Sequence, residues 1–328
     1  MVAVSRRCVV LLLALSWNGL VIRDGFGFNH QSKESLSVGQ DGTPATPIAG
    51  QAAETKVDET ERPLPDIPML MRAVEANQKA AESIEKNYIY RSAQTQQELD
   101  GHGRVKKTES REYEVFWVNG VPVHRLIKKD GKELSPDEQK KENGKIDKDA
   151  AKAKERRDKA NEKGKETDPR GNELITVSRL LELGSFTNAR RVQLNGRDTI
   201  AVDFAGDPKA KTRNRAEDVI RDLVGTAWVD ETDRMLVRAE GHFLNTFKIG
   251  GGLVVNIQKG TSFSMEQRKV NDEVWLPAMI DGQGAARALL VFSFNGKIHA
   301  VQSDYRKFKA TSTILPGMST VEPETDPK

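Results

Sequence analysis

The sequence predicts an α+β fold built on an antiparallel sheet, on three observations. Apolar-alternating segments are joined by Asn-Gly pairs at Asn119-Gly120, Asn195-Gly196 and Asn295-Gly296. Such pairs suit two-residue type I′ turns, where both central residues take positive φ, and only antiparallel strands can be joined so tightly. Strand patterns follow one another closely from Gly225 to Phe308, whereas helical patterns are confined to the chain before Gly225. That segregation separates α+β folds from the alternating βαβ kind.

The first helix opens at Asp66, a suitable N-cap, with Pro68 in its first turn. Leu70, Val74, Ala81, Ile84 and Tyr88 then recur at helical spacing, an amphipathic face of about five turns. At Tyr88-Ile89-Tyr90 the pattern turns strand-like and runs through Gln97 and Leu99 to a turn at Asp100-Gly101. The hairpin around Asn119-Gly120 has a predictable register: Val118 opposite Val121, Phe116 opposite Val123, and Glu114 opposite Arg125, an opposite-charge pair. Tyr113, Val115 and Trp117 share the other face with Pro122 and Leu126. Pro122 has no N–H to give a neighbour, so its strand is an edge or is bulged there.

Ser135-Pro136-Asp137-Glu138 is a capping box with proline at the first helical position. The helix it starts runs toward Lys163 with charges on every side and alanine as apolar filler, and Asn143-Gly144 is a point where it could break. A helix without an apolar stripe is expected to project into solvent, so residues 134–168 read as a solvent-exposed charged insertion. A protein-binding arm is the alternative reading of the same charges.

Leu180, Leu181, Leu183 and Phe186 mark a short apolar helix, and Asn195-Gly196 joins Arg191–Leu194 to Thr199–Phe204. A further short helix spans Arg215 to Leu223. The strands expected after it are Gly225–Val229, Met235–His242, Leu253–Ile257, Thr261–Val270, Val274–Ile280, Ala288–Phe294 and Lys297–Phe308, with turns at 230–233, Asn271-Asp272 and Asn295-Gly296.

The ends have a different character. Residues 1–27 carry Arg6 and Arg7 before a run from Val9 to Leu15. That run is too short to span a bilayer and has the layout of an export signal, removable near Phe28, with Gly19 and the Ala52 region as rival sites. The Arg6-Arg7 pair also has the look of a twin-arginine signal. Residues 28–65 and 316–328 are rich in Gly, Pro, Ser, Thr and acids without hydrophobic periodicity, and read as a disordered linker and tail around a domain at 66–315. The single cysteine, Cys8, precedes the apolar run, so the exported chain would hold neither a disulfide nor a thiolate site. The net charge of +3 falls to about +1 without residues 1–27, which is no nucleic-acid footprint.

Together these segments resemble a known group. Gly225-Thr226-Ala227-Trp228-Val229-Asp230 running into Met235–Gly241, the hairpin with its following helix, Val274-Trp275-Leu276-Pro277, and Tyr305-Arg306-Lys307-Phe308 resemble the LolA/LolB/LppX-like, outer-membrane lipoprotein-sorting-like exported bacterial proteins. The resemblance covers about Ile67 to Ile314, and its motifs are strand-turn-strand phrases. It implies a strongly curved antiparallel half-barrel, with helices over its concave face and an apolar cavity that receives acyl chains. It also implies a cell-envelope or periplasmic address, a lipid or lipidated protein as partner, and no integral membrane segment after signal cleavage. Relative to the LolA/LolB/LppX fold itself, the charged helix at Ser135–Lys163 is an added element, and it is the place for an envelope protein partner.

No catalytic constellation is visible. His30, His102, His124, His242 and His299 show no HxH or HExxH spacing, and no G-x-S-x-G elbow occurs. His124 and His299 could meet across a sheet, but neither neighbourhood supplies the carboxylates a metal site would need. No metal or cofactor is expected, and a hydrolase using scattered residues is the remaining enzyme reading. Gly250-Gly251-Gly252 lacks the Lys-Ser/Thr and helix of a phosphate loop and reads as a hairpin loop. Aromatic strand residues are explained first by core packing. If the half-barrel holds a ligand, the candidates for its cavity are Phe116, Trp117, Trp228, Phe243, Trp275 and Phe292.

Overall fold

A computed structural model of the protein describes residues 54–56, 62–164, 167–172, 174–249, 255–288 and 292–307. The expected export signal, the tail, the Gly250–Gly252 loop and Phe308 lie outside the described residues.

Helix α1, Ile67–Glu85, is capped as expected: the Asp66 carboxylate accepts from the Met69 N–H at 2.8 Å. The chain then enters β2 (Tyr88–Leu99), β3 (Val105–Val118), β4 (Val121–Lys129) and the short β5 (Lys132–Glu133). The long helix α2 (Pro136–Asn161) and the short α3 (Val177–Leu183) follow. Next come β6 (Gly184–Leu194), β7 (Arg197–Gly206), α4 (Arg215–Ile220), β8 (Leu223–Asp230) and β9 (Leu236–Phe243). The chain finishes with β10 (Phe247–Ile249), β11 (Val255–Ile257), β12 (Ser262–Val270), β13 (Val274–Ala288) and β14 (Phe292–Lys307). Glu54–Lys56 forms β1 on the edge strand β6.

These strands make one 14-stranded antiparallel sheet in the order β1-β6-β7-β8-β9-β12-β13-β14-β2-β3-β4-β5, with β10 and β11 attached off that path. The sheet is curved and does not close on itself. Because β5 and β6 lie toward opposite ends, α2 and α3 form the connection from one end of the sheet to the other. No helix among the described residues is long and apolar enough to cross a membrane.

Two Asn-Gly pairs act as turns. Asn119 and Gly120 have φ 50 and 71, Asn195 and Gly196 have φ 53 and 76, and the β3–β4 register has Glu114 opposite Arg125 as expected. Pro122 is indeed on an edge, since β5 pairs only with Lys128 and Lys129. The third pair is a correction: Asn295-Gly296 lies inside β14, so the expected strands Ala288–Phe294 and Lys297–Phe308 are not separated there. Gly296 serves close approach instead, because a Cβ on it would stand 1.9 Å from the Gln97 carbonyl oxygen of β2. Phe186 and Leu223, expected on helices, belong to β6 and β8.

The expected linker needs correcting at its described residues. Glu54–Lys56 pairs with Val192–Leu194, and the Arg191 guanidinium donates to the Arg62 and Pro63 carbonyls at 3.0 and 3.2 Å. The segment is thereby tied to the sheet edge.

The larger correction concerns α2. Its capping box is present and the helix runs unbroken through Asn143-Gly144, but it does not project into solvent. Ile146, Ala150 and Ala153, spaced i, i+4, i+7, are buried against Val121 and Val123, with Phe116 and Val118 beside them. Alanine is what permits this, because small side chains bring a helix axis close to a sheet. The stripe extends in both directions. Glu142 accepts from the Leu126 N–H at 3.4 Å, and Arg157 donates to the Gly120 and Asn119 carbonyls at 2.7 and 2.9 Å. Fifteen helical residues rise about 22 Å, the length of roughly six strand residues, so α2 lies along β4 from Leu126 to the turn. It shields an edge that would otherwise be open to pairing with another chain. Ile146→Asp is expected to release α2 alone. Hydrogen exchange should show α2 amides losing protection while β7 and β8 keep theirs.

Candidate functional site

Directly opposed residues of neighbouring strands point to the same face, so the register defines the two faces of the sheet. One cross-strand row runs Ala227–Ala239–Met265–Ile280–Ala300–Gln94–Arg111. Its neighbour runs Trp228–Arg238–Glu266–Met279–Val301–Ala93–Glu112 on the opposite face. The first face carries α1, α3 and α4, whereas α2 packs on the other face, against Phe116, Val118, Val121 and Val123. Leu70, Met71 and Val74 of α1 pack with Val177 of α3 and with Ile200, Val202 and Val229, while Ala227 and Leu236 border them. On the same face, Leu183 of α3 and Val219 and Ile220 of α4 pack with Phe243, Val255 and Ile257, next to Phe263. Glu75 of α1 accepts from the Val177 N–H at 3.0 Å and fixes the start of α3. Arg179 and Glu217 join α3 to α4 through a buried two-point ion pair at 2.9 and 2.8 Å.

Beyond these helices the covered face changes character. Ile298 and Ala300 of β14 are buried and cluster with Ile280 and Phe294, residues of the sheet itself. Together with Phe263 and Met265 they make an apolar strip across β12, β13 and β14. Next to it, on β2 and β3, the same face becomes polar. Gln302 stands opposite Ser92 and Tyr113, Ala300 opposite Gln94 and Arg111, and Ile298 opposite Gln96 and Glu109. The Gln302 amide donates to the Ser92 hydroxyl at 3.4 Å, and Arg111 donates to Glu109 at 2.9 Å, which also pairs with Lys107 at 2.5 Å. Burial opposes the charge on Arg111, but Tyr113 and Glu109 hold its guanidinium above the ordinary range. Past this block the face is closed by aromatic rings: Tyr90 and Tyr305 stand 5.5 Å apart. Burial raises the Tyr90 phenol, with Glu85 adding to it, and pushes Tyr305 up to about 12.

The residues expected to line a cavity do not converge. Trp228 and Trp275 do meet, in a cluster with Val192, Leu194, Ala201, Met235 and Val237. Trp228, 3% exposed, lies on the face opposite the first row, under the Arg238 guanidinium at 4.6 Å. The Trp275 indole donates to Asp233 at 2.9 Å. Phe243, 1% exposed, is in the core with α3 and α4. Phe116 sits beneath α2 with Arg125 5.1 Å from its ring, and Trp117, on the other face of β3, has Lys86 5.6 Å from its ring. Phe292 is opposite Ala288 in the ladder, and its side chain lies outside the described residues.

The aromatic cavity candidates of the sequence do not lead to the strip or the polar block, because β2 reads Ser92-Ala93-Gln94-Thr95-Gln96-Gln97, small or polar at every position. A strand polar on both faces inside a large sheet was the available signal.

His124 and His299 are separated by β2 and β3, and neither row brings them together. His299 Nδ1 lies 2.7 Å from Asp281 Oδ1, and Asp281 is opposite Ser264. The aspartate therefore stands between the serine and the histidine, whereas a hydrolytic triad needs the histidine between the other two. Among the described residues, no group of three His, Cys, Asp or Glu side chains is placed to hold a metal ion.

No family model matches the chain, and no curated protein matches it. Among solved structures, it is similar to a putative outer membrane lipoprotein-sorting protein domain from Vibrio parahaemolyticus at 9% identity and a TM-score of 0.34, over 74% of this chain and 93% of that one. It is also similar to a DUF1329 family protein from Desulfovibrio piger at 11% identity and a TM-score of 0.27, over 73% of this chain and 95% of that one. A LolA superfamily protein from Nitrosomonas europaea aligns at 8% identity and a TM-score of 0.27, over 72% of this chain and 94% of that one.

Proposed function

We propose that this protein is an exported, non-catalytic component of the cell envelope that binds an acyl chain, of a lipid or a lipidated protein, on the face of its curved sheet that bears α1, α3 and α4. The observation that carries the reading is the strip Phe263–Met265–Ile280–Phe294–Ile298–Ala300, in which Ile298 and Ala300 cluster with other sheet residues. An apolar chain laid along such a strip would be removed from water at about 25 cal/mol per Å² of buried surface. The export-signal layout of residues 1–27 supports the envelope address.

Fluorescence titration of the protein lacking residues 1–27 with a fatty acid carrying an environment-sensitive dye tests the reading. Saturable binding is expected, weakened about tenfold or more by Ile298→Asp, since a carboxylate in the strip replaces apolar contact with a charge that must be desolvated. Absence of saturable binding by the folded, unmutated protein would overturn it.

A further inference from the structure

We infer that the ligand's polar part is uncharged and hydrogen-bonding, a polyol or amide group rather than a phosphate or carboxylate, and that it is held by Ser92, Gln94, Gln96 and Gln302. The inference rests on the acyl-chain reading above and specifies the other end of the same molecule.

Four observations converge on it. First, the four side chains form a compact block: Gln302 is opposite Ser92, while Gln94 and Gln96 follow at alternate positions of β2 on the same face. Second, the block is chemically unfinished. Gln302 is 5% exposed, and its Oε1 is buried with no hydrogen-bond partner. Gln94 and Gln96 are half-buried, and their side chains hydrogen-bond to no described residue. Buried polar groups are ordinarily paired, so a buried amide oxygen without a protein partner faces a place where a donor belongs.

Third, the nearby cations already have carboxylate partners. Glu109 answers both Arg111 and Lys107, and Glu98 pairs with Lys106 at 3.2 Å. An anionic head would therefore meet cations that already have carboxylate partners. Amides offer a donor and an acceptor at once, which suits hydroxyl and amide groups that do the same. Fourth, the polar block borders the apolar strip directly: Ala300 is opposite Gln94, and Ile298 is opposite Gln96. With strands about 4.8 Å apart, an amphiphile crossing from β13 to β2 passes from apolar to polar surface within about 10 Å.

The test compares dodecyl probes of one chain length below their micellar concentrations: dodecyl maltoside, dodecanoate and dodecyl phosphate, each titrated by calorimetry. Dodecyl maltoside is expected to bind about tenfold or more tightly than either anion, since a site built for hydrogen bonds discriminates strongly against ligands that leave it unpaired. Gln94→Leu with Gln96→Leu should abolish that preference while leaving dodecanoate affinity within about threefold. Thr95→Val, between them on the opposite face, should leave the preference intact, and denaturation midpoints report whether each variant is folded. Equal affinity for all three probes, an anion preference, or a preference that survives the double substitution would overturn the inference while the acyl-chain reading stands. Failure of all three probes to bind would sink both.

Discussion

Phe243→Ala is expected to destabilise the protein by about 3–5 kcal/mol, the cost of truncating a buried aromatic ring and leaving a cavity. The ring is 1% exposed and packs with Leu183 of α3, Val219 and Ile220 of α4, and Val255 and Ile257 of β11. It therefore joins two helices and the off-path strands to the end of β9. Chemical denaturation should show the midpoint falling with the slope nearly unchanged. The same variant separates two roles for this residue. As a core residue, it should leave ligand affinity close to unmutated once measured where the variant is folded. As a residue lining the ligand, it should lose affinity in proportion to the contacts removed.

Arg179→Met should be comparably damaging, about 3–5 kcal/mol, because it leaves the buried Glu217 carboxylate without its partner. Arg179 reaches both oxygens of Glu217, the Lys211 carbonyl at 2.5 Å, and Glu182. The hydrogen bonds from Arg179 hold the Glu217 carboxyl below the usual range, against the effect of burial. A carboxyl with a depressed folded-state pKa contributes stability that is present above its unfolded value, about 4.3, and is lost as pH falls through the folded value. The unmutated protein should accordingly lose this contribution below about pH 4. In Arg179→Met the largest of the causes that lower the Glu217 carboxyl is gone, leaving the Arg213 N–H and the Arg213 charge against burial. The carboxyl then titrates higher than in the unmutated protein, so the penalty is largest at neutral pH and shrinks on acidification. The double variant Arg179→Met, Glu217→Leu should recover much of the loss. Thermal unfolding of the three proteins from pH 4 to 8 distinguishes this pattern from a simple packing defect, whose cost would not vary with pH.

Much of the fold was legible where local chemistry and sheet geometry agree. Asp66 and Ser135 cap the helices they were expected to cap, and the Glu114–Arg125 register follows from a turn whose two residues both need positive φ. Asn295-Gly296 failed because the same glycine can serve a turn or a close strand approach, and the dipeptide alone does not say which. The α2 expectation failed for a different reason. Counting charges on all sides hid a stripe of one isoleucine and two alanines, flanked by Glu142 and Arg157, whose polar ends satisfy backbone groups of β4 and its turn. That apolar stripe is consumed inside the molecule, and most of the charged residues of α2 remain exposed.

The site was less legible because face assignment depends on register across many strands. Gln94 and Ile298 are more than two hundred residues apart, and their shared face follows only from the β14–β2 pairing. Aromatic residues, the natural first guess, went instead to the core, the opposite face, or the surface under α2.

The proposed acyl chain lies on one particular face of the sheet, and two nearby residues of β14 report it. Ile298 and Val301 belong to the same strand but to opposite faces. Methyl NMR spectra of the protein lacking residues 1–27, recorded with a fatty acid spin-labelled along its chain, would read both at once. The predicted result is strong paramagnetic broadening of the Ile298 and Ile280 methyls, with those of Val301 little affected. Broadening centred on Val301, or none at any of these methyls under saturating ligand, would contradict the account.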